Sequence, residues 1–231
     1  MSKDKQTSEQ ALKQQPMRRY VQYGCGLSAP NGWINYDSSL RLRFERLPLV
    51  GSMTALIGKR LFPSGVAYGD IVTGLPLDDN TVDAIYASHV LEHLSRNDVV
   101  RALANTLRVL RPGGFFRLIV PDLEWRARRY VGGCSSNDDS AADVFISACL
   151  IGETDRPRGL MAMLRSAFGN SGHSWMYDER IMRRLLVDAG FIDIERCDFN
   201  DSGDTMFARV ENHDRFYDSG ERELALQARK P

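Results

Sequence analysis

The stretch YVQYGCGLSAPNGWINYD, from Tyr20 to Asp37, predicts how the rest of the chain is arranged. It holds two short runs of β-favouring residues, and the first run ends in Gly24-Cys25-Gly26. Two glycines one residue apart allow a sharp turn and leave backbone N–H groups open to a ligand, although a plain strand-to-loop turn has the same pattern. Asp37 ends the second run, where doubly wound sheets hold ribose hydroxyls. The stretch therefore predicts a nucleoside-type cofactor across two parallel strands.

Composition narrows the class of protein. The 231 residues carry 30 Lys and Arg against 30 Asp and Glu, so the formal net charge is zero, and no nucleic-acid partner is expected. The four cysteines form no CxxC pair and no zinc spacing, which favours a cytoplasmic location. Residues 1–16 are polar and predict a disordered tail rather than a secretory signal, and no apolar run is long enough for a membrane span. Residues 17–231 are expected to form one domain.

Strand and helix signals alternate along the chain, which favours an α/β fold with a mostly parallel sheet and helices on both faces. Five more strands are predicted, at Val66–Tyr68, Val82–Ser88, Phe115–Val120, Phe191–Cys197 and Glu223–Ala228. One or two short helices are expected between residues 38 and 62. Ser95 or Asn97 caps a helix that runs to Leu110, and another helix fills Asp178–Ala189. Residues 123–174 predict a helical insertion after the fifth strand.

With these elements placed, the chain resembles the class I S-adenosylmethionine-dependent methyltransferases, and in particular a bacterial, methyltransferase type 11-like subgroup. The segments that carry the resemblance are VQYGCG (21–26), Asp37, GDI (69–71), LPLDDNTVDAIYASHVLEHL (75–94), LRVLRPGGFFRLIVPD (107–122) and LLVDAGF (185–191). Their order and spacing are more specific than any one of them. The resemblance implies a Rossmann-like, doubly wound, seven-stranded sheet and S-adenosyl-L-methionine as the cofactor.

The resemblance also implies roles for individual residues at the carboxyl edge of the sheet. Gly24, Cys25 and Gly26 would lie against the methionine part of the cofactor, and Asp37 would hold the ribose. Asp70 and Ile71 would flank the adenine, while Ser88 and His89 would lie beside the sulfonium. Gln22 stands where the family usually has an acidic residue, which weakens the contact with the methionine ammonium group.

A second departure from the family concerns the first helix. The distance from Gly26 to Asp37 is too short for a full helix and a strand, so a loop over Leu27–Gly32 is predicted instead. Trp33 or the N-terminal segment is then expected to cover part of the cofactor.

The segment His89-Val90-Leu91-Glu92-His93 matches the HxxEH pattern of inverted zinc proteases. Its position directly after a strand disfavours that class. Glu92 and His93 could hold a metal that orients an acceptor hydroxyl, but the favoured interpretation is that they cap and pin the start of the next helix. No metal site is assigned.

His173, Asp122 and His93 are the candidate catalytic residues. His173 could be the general base for an acceptor hydroxyl, since the pKa of histidine is near neutral, or a surface histidine stacked on Trp175. Asp122 could face the acceptor or cap the helix after it, and Cys25 is interpreted as a small residue packed under the cofactor.

The sequence therefore predicts an enzyme that methylates a small-molecule acceptor. By the family resemblance, the acceptor is a hydroxyl of a sugar or of a surface-polysaccharide precursor. Four residues of the insertion would select the acceptor or form a homodimer contact: Trp125, Arg126, Arg129 and Tyr130. The alternative is a non-catalytic binding or scaffold protein on the same fold. A nicotinamide enzyme is disfavoured because Ala29 replaces the third glycine of its fingerprint.

Overall fold

The computed structural model describes residues 18–46, 61–152, 172–218 and 220–231. The disordered tail predicted over residues 1–16 falls outside these ranges, as does the part of the predicted helical insertion over residues 153–171. Part of the helical region predicted between residues 38 and 62 also lies outside them.

A seven-stranded sheet in the order β3-β2-β1-β4-β5-β9-β6 organises the fold. Its strands are β1 (Tyr20–Tyr23), β2 (Trp33–Asp37), β3 (Val66–Tyr68), β4 (Val82–Ser88), β5 (Leu110–Val120), β6 (Ile192–Arg196) and β9 (Leu224–Arg229). Strands β1 to β5 pair in parallel, and β9 runs antiparallel between β5 and β6. The predicted mostly parallel, seven-stranded sheet is confirmed.

Strand β1 lies where the order of the sheet reverses. Tyr20 pairs with Trp33 on β2 and with Ala84 on β4. The chain therefore places β2 on one side of β1 and later returns to place β4 on the other side. Loops at the carboxyl ends of β1 and β4 then run in opposite directions and leave a crevice between them. This crevice is where a doubly wound sheet binds its ligand.

The helices predicted from Ser95 or Asn97 to Leu110 and over Asp178–Ala189 are confirmed, and a side chain caps each of them. The helices are α1 (Leu40–Glu45), α2 (Arg96–Val109), α3 (Leu123–Ser135), α4 (Ala141–Ala148), α5 (Glu179–Ala189) and α6 (His213–Phe216). Ser95 caps α2 by accepting the N–H of Asp98, and Asp178 caps α5 by accepting the N–H of Ile181. Residues 24–32 form turns and no helix, which confirms the predicted loss of the first helix. Among the described residues, we find no helix with the length and apolar character needed to cross a bilayer.

The two faces of the sheet carry separate apolar clusters. The larger cluster packs α2 and α5 against β1, β4 and β5, with Val21, Ile85 and Leu186 at its centre. Trp33 belongs to the other cluster, where its ring meets Phe207 edge-on at 5.2 Å and its Nε1–H donates to the carbonyl of Met206 at 3.0 Å. The expectation that Trp33 covers the cofactor is therefore wrong, because the ring is buried under the sheet.

A buried arginine ties the segment before α6 to the sheet. Arg117 on β5 is 1% exposed, and its guanidinium donates to Glu211 at 2.5 Å, to Asp201 at 2.5 Å and to the carbonyl of Asp198 at 2.5 Å. Burial raises the pKa of Glu211, and the positive charge of Arg117 acts against that rise. A buried charge left without its partner is costly, so this pair fixes the position of the segment.

The sequence did not predict the small hairpin that follows. Strands β7 (Tyr217–Asp218) and β8 (Glu221–Arg222) pair antiparallel just before β9. Two-residue strands have too few positions to show an alternating pattern, so only the tertiary structure reveals them.

We expect Arg117→Met to lower the free energy of unfolding by about 3–5 kcal/mol, because it leaves the Glu211 carboxylate buried and unpaired. Urea denaturation followed by circular dichroism measures the change. The double variant Arg117→Met/Glu211→Gln should recover part of the loss, since it removes both charges.

The matched control is Arg184→Met. Arg184 forms an exposed pair with Asp188 on α5, and such pairs contribute little to stability. Equal losses for Arg117→Met and Arg184→Met would contradict the role given to the buried pair.

Candidate functional site

The carboxylate of Asp37 joins the glycine loop to the end of β2. Asp37 is 8% exposed, its Oδ2 accepts the N–H of Gly26 at 2.9 Å, and its Oδ1 accepts the N–H of Ser39 at 2.8 Å. The N–H of Cys25 also bonds to the carbonyl of Tyr36 at 3.1 Å. Each carboxylate oxygen keeps a second lone pair for a hydroxyl donor. The predicted contact between Asp37 and a ribose is therefore compatible with the geometry.

Gly24 and Gly26 both have positive φ angles, of 62° and 54°. A Cβ atom at Gly24 would lie 2.3 Å from Cγ2 of Val90, so this glycine is required by packing. A Cβ atom at Gly26 would meet no described atom within 4 Å. The space beside Gly26 is open, which suits the close approach of a ligand to the backbone.

Gln22 and Cys25 support the loop from below. The buried amide of Gln22 donates to Asn35 Oδ1 at 2.6 Å and to the carbonyl of Ser28 at 3.2 Å, so it braces the loop that replaces the first helix. Its predicted contact with the cofactor stays a prediction. Burial, together with the charge of Asp37, raises the pKa of the Cys25 thiol to about 12. A thiol with this pKa is a poor nucleophile, in keeping with the packing role.

Asp70 and Ile71 lie beside Asp37, at the end of β3. The N–H of Gly69 bonds to the carbonyl of Asp37 at 3.1 Å, and Asp70 Oδ1 accepts the N–H of Val72 at 2.8 Å. Ile71 is buried in the larger core cluster. The structure therefore brings the predicted ribose and adenine residues to one edge of the sheet, with Ile71 at its base.

Ser88 and His89 follow the end of β4, on the other side of the crevice. The Oγ atom of Ser88 is buried and finds no hydrogen-bond partner in the described parts of the chain. His89 has a φ of 54°, its Nε2 lies 3.1 Å from the carbonyl of Arg215, and its Nδ1 lies 3.3 Å from Glu92 Oε1. Burial lowers the pKa of His89, but the neighbouring Glu92 outweighs this effect and the net pKa is raised.

A cavity of about 550 Å³ opens next to this crevice, at the carboxyl ends of β4 and β5. Its lining is rich in ionisable side chains: His89, Glu92, His93, Arg126, His173, Asp214, Arg215, Glu221 and Glu223. The volume is in the range of small-molecule sites, and the lining offers many hydrogen-bonding groups.

The prediction that Glu92 and His93 cap the next helix is wrong. Ser95 supplies that cap, and Leu91–His93 is a single 3-10 turn. Glu92 is 0% exposed, and neither of its carboxylate oxygens has a hydrogen-bond partner among the residues that the structure describes. His89 and His93 also do not share one regular helix, so the geometry of the protease motif is not formed.

A loop over residues 172–175 is bonded to this turn and places His173 above it. The carbonyl of Glu92 accepts the N–H groups of Ser174 and Trp175, at 2.8 and 3.1 Å, and the carbonyl of His93 accepts Ser174 Oγ–H at 3.0 Å. The ring of His173 meets the ring of His93 edge-on at 5.2 Å. His173 therefore contacts the ring of His93, and not that of Trp175 as one of the two interpretations expected. Burial lowers the pKa of His173, which favours the neutral imidazole.

Asp122 caps α3, as one of the two interpretations expected. Its Oδ1 accepts the N–H groups of Glu124 and Trp125, and its Oδ2 accepts from Arg196 at 2.8 Å. Both oxygens are therefore engaged in holding α3 and β6, and a catalytic role for Asp122 stays a prediction.

The arginines of the insertion are held by acidic residues of the C-terminal segment. The guanidinium of Arg126 is buried and makes two bonds to Glu223, at 2.7 and 2.9 Å, and Arg129 pairs with Glu221. Trp125, by contrast, is 44% exposed and Tyr130 is partly exposed. Because Arg126 and Arg129 are held in these pairs, their guanidinium groups are less available to bind an acceptor. Selection of the acceptor by the insertion and the homodimer contact both stay predictions.

Sequence reasoning missed the residues that the C-terminal segment brings to the cavity, which are Asp214, Arg215, Glu221 and Glu223. They belong to α6, to β8 and to the residue before β9, and no motif marks them. Glu92 was visible in the HxxEH pattern, but its burial without a partner appears only in three dimensions.

Comparisons with known proteins agree with this geometry. Residues 21–118 match the family described as a methyltransferase domain. An uncharacterised 37.1 kDa protein from a transposon of Streptomyces fradiae is 34% identical over 132 residues, which cover 50% of this chain and 33% of that protein. The chain thus spans about a third of the length of this curated relative.

A solved structure shares the fold. A SAM-dependent methyltransferase from Methanosarcina mazei is 14% identical, with a TM-score of 0.50 and 96% of each chain covered. A SAM-dependent methyltransferase from Thermotoga maritima is 15% identical, with a TM-score of 0.47, 92% of this chain and 82% of that chain.

We expect Gly24→Ala and Gly26→Ala to differ in their effect on stability. Both substitutions place an alanine at positive φ, which costs about 1–2 kcal/mol. Gly24→Ala also forces Val90 aside, and such overpacking adds about 1–3 kcal/mol. Chemical denaturation of the two variants should therefore show the larger loss for Gly24→Ala.

The double variant Gly24→Ala/Val90→Ala provides the control. Adding Val90→Ala should lower the free energy of unfolding less in the Gly24→Ala background than in the wild type, because the smaller side chain relieves the overpacking. Additive losses would contradict the contact between Gly24 and Val90.

Proposed function

We propose that this chain, whose residues 21–118 match the methyltransferase-domain family, is a class I S-adenosylmethionine-dependent methyltransferase that transfers the methyl group to a hydroxyl oxygen of a small acceptor. The observation that supports this best is the adjacency of two sites at the reversal of strand order. The Gly24–Gly26 loop and Asp37 lie on one side, and the 550 Å³ cavity lies on the other. The turn that starts at His89 separates them.

The residues at the crevice fit the proposed cofactor. The buried carboxylate of Asp37 can accept hydrogen bonds from the two ribose hydroxyls. The open space beside Gly26 admits the methionine chain against the backbone, and the unpartnered Oγ of Ser88 offers a polar contact near the sulfonium. The crevice thus offers an acidic side chain for the ribose, open space beside a glycine backbone for the methionine chain and an unsatisfied hydroxyl near the sulfonium.

S-Adenosylmethionine, when bound, supplies a methyl group on a sulfonium, which is already a reactive leaving group. The protein therefore has to position the acceptor, exclude water and take up the hydroxyl proton. Three imidazoles line the cavity for that last step, those of His89, His93 and His173. The neutral form favoured at His173 is the form that can accept a proton or donate a lone pair.

The lining of the cavity supports a polyhydroxylated acceptor, such as a sugar or a surface-polysaccharide precursor. Carboxylates, imidazoles and guanidinium groups surround a space that is large enough for one or two sugar rings. Carboxylates accept hydrogen bonds from sugar hydroxyls, while Arg215 can donate to them. The family resemblance points to the same class of acceptor.

Calorimetric titration with S-adenosylmethionine, and separately with S-adenosylhomocysteine, tests the cofactor site. We expect wild-type binding with a dissociation constant on the order of micromolar, or about −8 kcal/mol. Asp37→Ala should weaken it by a factor of about 10 or more, because it removes the acceptor for both ribose hydroxyls and the anchor of Gly26.

Asp188→Ala is the matched control, since Asp188 is an exposed carboxylate on α5 far along the chain from the crevice. It should leave the titration unchanged. A folded wild-type protein that binds neither ligand would overturn the enzyme proposal and favour the scaffold alternative. If the wild type does bind these ligands, a screen of sugar acceptors is the next experiment.

A further inference from the structure

Three of the four histidines of the chain meet around one buried carboxylate. One donor atom from each of Glu92, His93 and His173 lies within 4.8 Å of the others, and His89 Nδ1 lies 3.3 Å from Glu92 Oε1. All four side chains line the same cavity. Such convergence of nitrogen and oxygen donors goes beyond what the fold requires.

The carboxylate at the centre of this cluster is unsatisfied. A fully buried carboxylate costs several kcal/mol unless hydrogen bonds or a positive charge compensate it. Glu92 has no hydrogen-bond partner among the described residues, and the one arginine whose guanidinium is buried in this lining, Arg126, is already held by Glu223. The ring nitrogens nearest to Glu92 Oε1 are His89 Nδ1 at 3.3 Å and His93 Nε2 at 3.9 Å, so either a histidinium or a metal ion held by these side chains can compensate the carboxylate.

The hydrogen bonds of the histidines determine which ring nitrogen is free. His93 Nδ1 lies 3.1 Å from the carbonyl of Gly172, and His89 Nε2 lies 3.1 Å from the carbonyl of Arg215. A carbonyl only accepts, so each of these nitrogens carries the proton. The other two ring nitrogens, His93 Nε2 and His89 Nδ1, lie 3.9 and 3.3 Å from Glu92 Oε1. A metal ion placed beside Glu92 would therefore find His93 Nε2 on the same side as the carboxylate.

We propose that Glu92, His93 and His173 bind a divalent transition-metal ion of the zinc class. Two imidazoles and one glutamate are the ligands of a common type of catalytic zinc site, in which the fourth position stays open. Zinc bonds of about 2.0–2.1 Å place tetrahedral donors about 3.3 Å apart, so the side chains close in slightly as the ion enters. Nδ1 of His173 is buried without a partner in the described structure and is free to act as a ligand.

The backbone holds this site together before any ion binds. The hydrogen bonds between residues 172–175 and the Leu91–His93 turn keep His173 above Glu92, and the N–H of His173 also bonds to the carbonyl of Leu150 at 3.3 Å. The carbonyl of Gly172 fixes the orientation of the His93 ring, as outer partners do in metal sites. The ligands are thus preorganised by contacts that do not involve the ion.

The open position of the ion would face the 550 Å³ cavity, since all three ligands line it. An acceptor hydroxyl bound there would lose its proton more readily, because a bound cation stabilises the alkoxide. This role rests on the proposed methyl transfer, whereas the binding of the ion does not.

The test titrates Zn²⁺ into the EDTA-treated, dialysed full chain in competition with a chromogenic chelator. The Cys134→Ser background removes the exposed thiol as a rival ligand. We expect one equivalent to bind, and Glu92→Gln and His173→Asn to weaken binding by about 100-fold or more, since even outer partners are worth 10–100-fold. His213→Asn, which changes the histidine outside the cluster, should bind like the wild type.

Co²⁺ provides a second measurement on the unmutated cluster. Four- or five-coordinate Co²⁺ absorbs visible light far more strongly than the six-coordinate aqua ion, so an intense spectrum is expected at one equivalent. Failure to bind one equivalent of Zn²⁺, or binding by Glu92→Gln and His173→Asn as tight as that of the wild type, would overturn the proposal and leave a metal-free histidinium–carboxylate pair. Because cofactor titrations are run separately, loss of metal binding alone does not count against methyl transfer.

Discussion

The carboxylate of Asp37 is the constraint on which the cofactor side of the molecule depends. It holds Gly26 and Ser39 by their backbone N–H groups, and thereby fixes the loop after β1 to the end of β2. Most doubly wound folds use a helix to hold these two strands in place. Here turns replace that helix, and Gln22 and Asp37 supply side-chain bonds in its stead. The shortened connection is stable because the lost helical contacts are replaced by a few buried polar ones.

Around the 550 Å³ cavity, parts of the chain that are distant in sequence are assembled by ion pairs and backbone bonds. The C-terminal acids Glu221 and Glu223 hold the arginines of α3, and the 172–175 loop is bonded to the turn after β4. The cavity therefore has walls from the sheet, the insertion and the C-terminal segment. Arg126 and Arg129 are paired with these acids, and Glu92 lies nearest to His89 and His93.

The sequence was sufficient for the sheet and for the helix caps, because alternation, glycine turns and Ser or Asp caps are local signals. Strand β4, the Ser95 cap and the missing first helix were all predicted correctly. The 550 Å³ cavity could not be predicted in the same way. Apart from Glu92, its acids come from α6, β8 and the residue before β9, whose positions depend on Arg117 and Arg126. Trp33 was misassigned because an aromatic residue next to a glycine loop fits a ligand cover and a core equally well.

Val90 lies in the segment between the Gly24–Gly26 loop and the 550 Å³ cavity. Its side chain fills the space beside Gly24, while its neighbours His89 and Glu92 line the cavity. A ligand that moves this turn on one side changes the room available on the other. The free energies of occupancy are then linked, and linkage is reciprocal: whatever factor the cofactor imposes on acceptor affinity, the acceptor imposes on cofactor affinity. The packing of one valine would then contribute to the strength of that coupling.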